Sequence, residues 1–308
     1  LGNQVKTEYN IDGNPVKRIS CDKDGKNREV RIWEYDCLGY LRQAVGGGFR
    51  YRYEFRPDGK LLRKETSGHA VLRYTYFPDG NIKTMTDGSG RVLSYGYDHG
   101  GRLTSVADED GEIVSYRHTP GGKVKEIRHR NGVRTAYEYD TEGNIVRLLT
   151  ETGNGKTICD LQYEYDLNGN RTVRRGTMML PDHSSGCSLQ IRDIRYRYDR
   201  MNRLTAESRN GEETSYIYDL CGNRLEKRKG GKTEKNRYNR KNQLIRRAAG
   251  GEVWDYTFDP QGNLIREAGP KVERQYLYDT ENRQIRILSG GKEIQENRYD
   301  GEGLRAGV

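Results

Sequence analysis

Several groups of residues in this 308-residue chain have types and spacings that could do chemistry. Gly153-Asn154-Gly155-Lys156-Thr157 resembles the end of a phosphate-binding loop, in which backbone N–H groups and a helix end cradle phosphate oxygens. Thr150 stands where the first glycine of that motif belongs and no helical pattern follows, so the stretch reads as a glycine-rich hairpin turn. Asp108-Glu109-Asp110-Gly111-Glu112 and Asp22-Lys23-Asp24-Gly25 offer the hard oxygen ligands that calcium takes, yet neither continues into a full ligand set, and Asp-Gly clusters are ordinary at hairpin tips. His69, His99, His118, His129 and His183 are scattered, with no spacing that aims two at one metal. The cysteines, Cys21, Cys37, Cys159, Cys187 and Cys221, are odd in number and lack a C-x-x-C pair, so free thiols are expected, with neither a disulfide framework nor a zinc site. Asn170-Arg171-Thr172 is a single glycosylation-type triplet in an array full of Gly-Asn-Arg turns and carries no assignment. No catalytic, metal or cofactor set emerges, and an enzyme is not expected.

The elements that would hold such residues are set by a different group, the 23 tyrosines. The phrase aromatic-x-aromatic-Asp-x-x-Gly-Asn/Arg-Leu recurs from end to end, as in Tyr95-Gly96-Tyr97-Asp98, Tyr137-Glu138-Tyr139-Asp140 and Tyr256-Thr257-Phe258-Asp259. Its second aromatic falls at Tyr9, Tyr35, Phe55, Tyr76, Tyr97, Tyr139, Tyr165, Tyr198, Tyr218, Tyr238, Phe258, Tyr278 and Tyr299, with His118 in the same slot, and ten of the thirteen gaps are 20 or 21 residues. Aromatic-x-aromatic puts both rings on one face of a strand. Asp suits the first position of a type I turn, and the glycine, at Gly101, Gly143, Gly169, Gly222 and Gly262, tolerates the positive φ that closes it. A second reversal about ten residues later, at Asn131-Gly132, Asn210-Gly211, Gly230-Gly231, Gly250-Gly251 or Gly290-Gly291, favours a two-residue hairpin turn. Each copy is then one antiparallel hairpin. Residues 1–308 form a single array of about 14 hairpins, all-β, with longer loops expected near 151–159 and 177–188.

Composition sharpens the picture. Hydrophobic residues make up 32% of the chain and charged residues 32%, and Leu, Ile, Val and Phe together fall under a fifth, so a thick apolar core is not expected. A lone hairpin is marginal in water, so each must be stabilised by its neighbours, with ladder tyrosines of successive copies lying ring against ring. A sheet of so many twisted strands must coil. No run is long and apolar enough for a transmembrane segment. The net charge of +9 could indicate nucleic acid, but acids are interleaved even in dense stretches such as Arg171 to Arg175, Arg224 to Lys235 and Arg246-Arg247. These read as solvated strand faces, and no nucleic-acid partner is expected. An acidic polypeptide or glycan attracted to one face of the wall is a further reading.

These Tyr-Asp-x-x-Gly-Asn/Arg-Leu copies, with the closing Tyr299-Asp300-Gly301-Glu302-Gly303-Leu304-Arg305, resemble the YD repeats of the Rhs family, which takes in bacterial polymorphic toxins, wall-associated relatives, the C component of insecticidal Tc toxin complexes and animal teneurins. The resemblance spans essentially the whole chain. It implies a continuous spiralling sheet that is part of a hollow β-shell, and a structural role: encapsulating a C-terminal toxin or effector polypeptide in a secreted or cell-surface protein. The closing segment and the cargo would lie beyond Val308 and the native start before Leu1, and without EGF-like cysteine modules a bacterial setting is expected. The competing reading is a surface adhesion module that binds a cell-surface glycan or protein through exposed aromatics.

Overall fold

The computed structural model describes residues 4–22, 24–25, 28–67, 71–181 and 186–307. His69, His183 and Lys23 lie outside the described residues, as does the 182–185 stretch of the second expected loop. The described residues fold into 29 strands and no helix, from Gln4–Tyr9 to Arg305–Gly307. Twenty-seven of them belong to an antiparallel sheet, and Arg298–Tyr299 pairs with Arg305–Gly307 in a two-stranded one. Sequence neighbours pair with each other, as Gln4–Tyr9 does with Pro15–Cys21 and that strand with Glu29–Tyr35. The chain packs as two compact units: residues 1–92, 243–246 and 252–308 form one, and residues 93–242 and 247–251 the other.

One turn chemistry recurs in both units. The repeat aspartate donates its N–H to the carbonyl four residues on, and its own carbonyl accepts the N–H of the third residue, as at Asp36, Asp98, Asp166 and Asp300. Its Oδ1 accepts two further backbone N–H groups, from Gly100 and Arg102 at Asp98 and from Met201 and Arg203 at Asp199. These bonds favour the ionised form, and the N–H groups of Arg102 and Arg203 hold the Asp98 and Asp199 carboxyls below the usual carboxylate range. The residue in the glycine slot has positive φ in every quoted copy: Gly101 at 73°, Gly143 at 87°, Gly169 at 79°, Gly222 at 88° and Gly262 at 98°. Three copies place Asn there instead, Asn202, Asn242 and Asn282, at 58–63°. Each turn shifts the ladder register at the second aromatic, for example between Glu138 and Tyr139, which is the signature of a type I turn closed by a bulge. His118 occupies such a slot and carries the same shift.

Three expectations from the sequence are corrected. The second reversals at Gly230-Gly231, Gly250-Gly251, Gly290-Gly291 and Asn210-Gly211 have positive φ at both residues, as a two-residue turn requires, but at Asn131-Gly132 only Gly132 does and the turn is of the aspartate type. The residues near 151–159 are not a long loop: strands Ile145–Glu151 and Thr157–Tyr165 flank a short turn closed by Thr152 and Lys156, which also holds the phosphate-loop-like glycines. Those near 177–188 lengthen a hairpin, with Arg171–Pro181 paired to Cys187–Tyr198 through Thr177–Ile191, Met179–Leu189 and Pro181–Cys187. Extra rungs of apolar cross-strand pairs satisfy backbone groups that a loop would leave to water.

Apolar burial is sparse, as the composition requires. In the first unit Ala44, Tyr51 and Tyr53 form a small cluster with Trp33, Leu41, Phe49, Phe55 and Leu61 against it. In the second, Cys159, Leu161, Ile194 and Ala206 are the buried hydrophobics among the described residues.

Candidate functional site: the tyrosine stitches and the terminal clasp

The ladder tyrosines Tyr35, Tyr76, Tyr97, Tyr139, Tyr165, Tyr198, Tyr218, Tyr278 and Tyr299, with Phe258, are all half-buried at the ends of their strands. Nine ladder hydroxyls, including that of Tyr238, donate to a backbone carbonyl, and the acceptor is always the residue six places after the preceding ladder aromatic: Pro15 for Tyr35, Leu61 for Tyr76, Val124 for Tyr139, Leu264 for Tyr278. Distances run from 2.6 Å at Tyr76 and Tyr139 to 3.1 Å at Tyr35. The expected ring-on-ring ladder is therefore replaced at these positions by hydroxyl-to-carbonyl stitches between repeats.

Cations occupy the ring faces. Lys60 lies 5.6 Å from the Tyr76 ring, Lys123 5.2 Å from Tyr139, Arg203 5.0 Å from Tyr218 and Arg283 4.7 Å from Tyr299. Each comes from the slot after the positive-φ turn residue of the preceding copy, Gly59, Gly122, Asn202 or Asn282. Lys60 also donates to the Gly80 carbonyl, Lys123 to that of Gly143 and Arg203 to that of Asp219, so this residue ties one turn to the next. Where the slot holds Asn and the next copy has Asn in place of its turn glycine, the tie is Asn to Asn: Asn170 to Asn202 at 2.8 Å, Asn223 to Asn242 at 3.0 Å and Asn263 to Asn282 at 2.9 Å.

The copy at Tyr299 makes a different kind of contact: its turn, Asp300 to Gly303, seats against strands far earlier in the same unit. A Cβ on Gly47 would lie 1.7 Å from the Tyr299 carbonyl oxygen, one on Gly46 3.0 Å from Gly301 Cα, and one on Gly301 3.0 Å from the Val45 carbonyl carbon. Backbone thus packs on backbone, and only glycine fits. Asp300, 2% exposed, spends Oδ1 on the N–H groups of Glu302 and Leu304 and accepts Tyr51 Oη on Oδ2 at 2.7 Å. Tyr53 Oη donates to Glu302 Oε1 at 2.5 Å, and Lys64 reaches Glu302 Oε2 at 3.2 Å. Burial pushes the Tyr51 phenol up to about 12, helped by the Asp300 carboxylate, and burial and then Glu302 push Tyr53 up too.

Beside this notch a second set of contacts joins the penultimate turn to the same strands. Arg283 bonds Glu29 at 2.6 Å and Asp279 at 2.5 Å, while Arg31 bonds Glu281 at 2.5 Å. Asp279 differs from the other turn aspartates: burial, together with the nearby Glu29 and Glu281, raises it to about 6. None of the clasp residues outside the repeat was singled out from sequence. The Gly46-Gly47-Gly48 run and the Tyr51-Arg52-Tyr53 pair are the signals that could have found them.

Of the carboxylates weighed as calcium ligands, Asp108 pairs with Arg130 and Asp22 accepts the Asp24 N–H on Oδ1. Cys159 is buried, which pushes its thiol up, and Cys37, Cys187 and Cys221 are exposed.

A hairpin array with a Tyr-Asp turn in many of its copies matches one family along nearly its whole length: residues 5–180 and 185–307 fit the teneurin YD-shell. The chain belongs to the teneurin YD-shell family. Among solved structures, this YD-shell chain is similar to the crystal structure of TcdB2-TccC3, at 15% identity over 96% of this chain and 19% of that one, with a TM-score of 0.68. It is similar as well to a Photorhabdus luminescens Tc holotoxin pore, at 13% identity over 98% of this chain and 22% of that one, with a TM-score of 0.63. At these identities the likeness speaks for the fold, and the chain spans about a fifth of the length of those proteins. The comparison with curated proteins gives no match. A YD-shell has a structural role, that of a wall.

Proposed function

We propose that this YD-shell chain is a stretch of non-enzymatic wall that encloses and shields a polypeptide attached C-terminal to it, a toxin or another effector, in an exported or surface-held protein. The observation that carries this reading is the clasp, in which the Tyr299-Asp300 turn is fitted backbone to backbone onto strands some 250 residues earlier, so that the path of the chain is tied back onto itself. A wall that must hold a polypeptide has to close on itself, whereas a linear adhesive array does not. The tyrosines support the same reading, because their hydroxyls are spent on neighbouring carbonyls and many of their faces on cations, which leaves few free aromatic surfaces for a glycan. Likeness to Tc toxin structures accords with an effector as cargo. No helix among the described residues is long and apolar enough to cross a membrane.

The test is limited proteolysis of the full-length protein that carries this chain, following the polypeptide that continues beyond Val308. Protection of that polypeptide in the native protein, lost when the clasp is broken, is the expected result. Cleavage as fast in the native protein as in urea would refute containment, and tight glycan capture by the same protein would then favour adhesion.

A further inference from the structure

Between Arg171 and Arg209 the chain carries nine arginines against four acidic residues, a net +5 of its total +9. The sequence reads as mixed charge, but the hairpin of strands Arg171–Pro181 and Cys187–Tyr198 sorts that charge by face. On one face every arginine has a carboxylate: Arg147 with Asp160 at 2.9 Å, Arg175 with Glu164 at 3.3 Å, Arg195 with Asp193 at 3.6 Å and Arg197 with Glu213 at 2.7 Å.

The opposite face carries Tyr163, Arg174, Ile194 and Arg209 as directly paired neighbours on four successive strands, and Arg192 opposite Gly176 one step along. Among the described residues no carboxylate pairs with Arg174, Arg192 or Arg209, and the Nε of Arg174 is buried with no hydrogen-bond partner. Arg171 shares this face and is spent on aromatic rings, 4.3 Å from Tyr163 and 5.9 Å from Tyr165. Two acids lie nearby and both are engaged: Glu207 accepts the Tyr216 hydroxyl at 3.3 Å, and Glu212, opposite Arg209 on the next strand, pairs with Lys229 at 3.5 Å. Cys159, Leu161 and Ile194 are buried on this same face, so the arginine stems lie over apolar neighbours. Burial raises both the Cys159 thiol and the Tyr163 phenol, and the nearby charge of Arg174 opposes both rises.

We propose that Arg174, Arg192 and Arg209 form a docking face for an acidic segment of polypeptide. Diagonal neighbours on adjacent strands are about 7–8 Å apart and next-but-one strands about 10 Å. Carboxylates at alternate positions of an extended peptide recur every ~7 Å and match that spacing, and each guanidinium can take a carboxylate bidentately. Single-stranded nucleic acid has a similar charge spacing but draws much of its affinity from stacking on open rings. Arg171 already lies over the two tyrosines that would serve. The inference deepens the container reading, on which it rests for the origin of the segment, by giving the chemistry of what the wall would hold. Its test is separate from the proteolysis above.

A fluorescently labelled peptide of alternating Glu and Ala is titrated onto the 308-residue chain at low salt and followed by anisotropy. Binding that weakens with salt is expected, with none for the matching Gln–Ala peptide. The triple variant R174Q/R192Q/R209Q should bind about tenfold more weakly, R147Q/R195Q on the paired face should bind as the parent does, and the lysine triple R174K/R192K/R209K, which keeps the charge and loses the bidentate fork, should fall between them. Equal binding of the Glu and Gln peptides to the unaltered chain overturns the proposal without reliance on any variant. So does tighter binding of a single-stranded DNA of equal charge, which would assign the face to nucleic acid. A failure here alongside protease protection of the C-terminal polypeptide would remove the docking face and leave the container.

Discussion

Gly47 and Gly48 form a matched pair for testing the clasp. Both sit in one two-residue turn with positive φ, 59° and 82°, so alanine at either incurs the same kind of backbone strain, about 1–2 kcal/mol. They differ in surroundings. A Cβ on Gly48 meets nothing within 4 Å, whereas one on Gly47 would fall 1.7 Å from the Tyr299 carbonyl oxygen. No small shift relieves that clash, because the atom is backbone, so Gly47→Ala must push out the Tyr299 to Gly303 turn. The added cost is capped by what the clasp is worth, since releasing the turn removes the clash. Two phenol-to-carboxylate bonds are lost, Tyr51 to Asp300 and Tyr53 to Glu302, at about 1.5–3 kcal/mol each. Gly47→Ala should therefore cost about 3–6 kcal/mol more than Gly48→Ala in urea unfolding followed by circular dichroism near neutral pH. Ultraviolet titration supplies a second readout: the Tyr51 phenol, held at about 12 in the intact clasp, should move back towards 10 in Gly47→Ala and stay up in Gly48→Ala. Equal midpoints for the two variants would refute the backbone-on-backbone fit.

Two other outcomes are expected. Tyr139→Phe removes the 2.6 Å stitch to the Val124 carbonyl and keeps the ring over Lys123, so it should cost about 1 kcal/mol, against about 3 for Tyr139→Ala; equal losses in thermal melts would mean that the ring contributes nothing beyond its hydroxyl. Asp279 should make the first unit more stable as pH falls from neutral through about 6, because its folded carboxyl, raised from 3.8, binds a proton that the unfolded chain does not. That shift is worth up to about 3 kcal/mol, fully gained near the ordinary carboxylate range and lost again as pH rises through about 6. The half-buried turn aspartates Asp98 and Asp199, whose carboxyls are lowered, act in the opposite sense and only at lower pH. Unfolding midpoints measured across this range should rise on mild acidification in the parent and stay flat in Asp279→Asn, and a flat parent profile would show that Asp279 is not buried as described.

The hairpins were legible because each is decided within about ten residues: two aromatics on one face, an aspartate that captures the turn's N–H groups, and a residue that accepts positive φ. Copies that lack the glycine were also legible in principle, since Asn tolerates that conformation, and Asn202, Asn242 and Asn282 take it without altering the turn. What the rings touch was not legible. A tyrosine at the end of a strand can meet a neighbouring ring, a cation or a carbonyl, and the choice depends on the bulge beside it, which swings the phenol towards the preceding repeat. The same bulge hid the sorting of charge. Arg171 and Arg174 are three apart and would alternate in a regular strand, yet the register shift at Tyr165 returns them to one face, so counting along the sequence mixed two faces that the structure keeps separate.

A wall this poor in aliphatics has to be held by directional contacts, and that explains both its regularity and its one irregular joint. The small clusters of Ala44, Tyr51 and Tyr53 and of Cys159, Leu161 and Ile194 cannot stabilise 29 strands by burial. The remainder comes from bonds that each copy makes to the one before it: phenol to carbonyl, and the cation or Asn after the turn to the next turn. The turn from Asp300 to Gly303 departs from that scheme and meets strands some 250 residues earlier. Asp300 and Glu302 find substitutes in Tyr51 and Tyr53, side chains that belong to the early copies and not to the repeat interface. Three glycines, Gly46, Gly47 and Gly301, make the approach possible. The chemistry of the clasp differs from that of the stitches because it joins positions that the repeat never brings together.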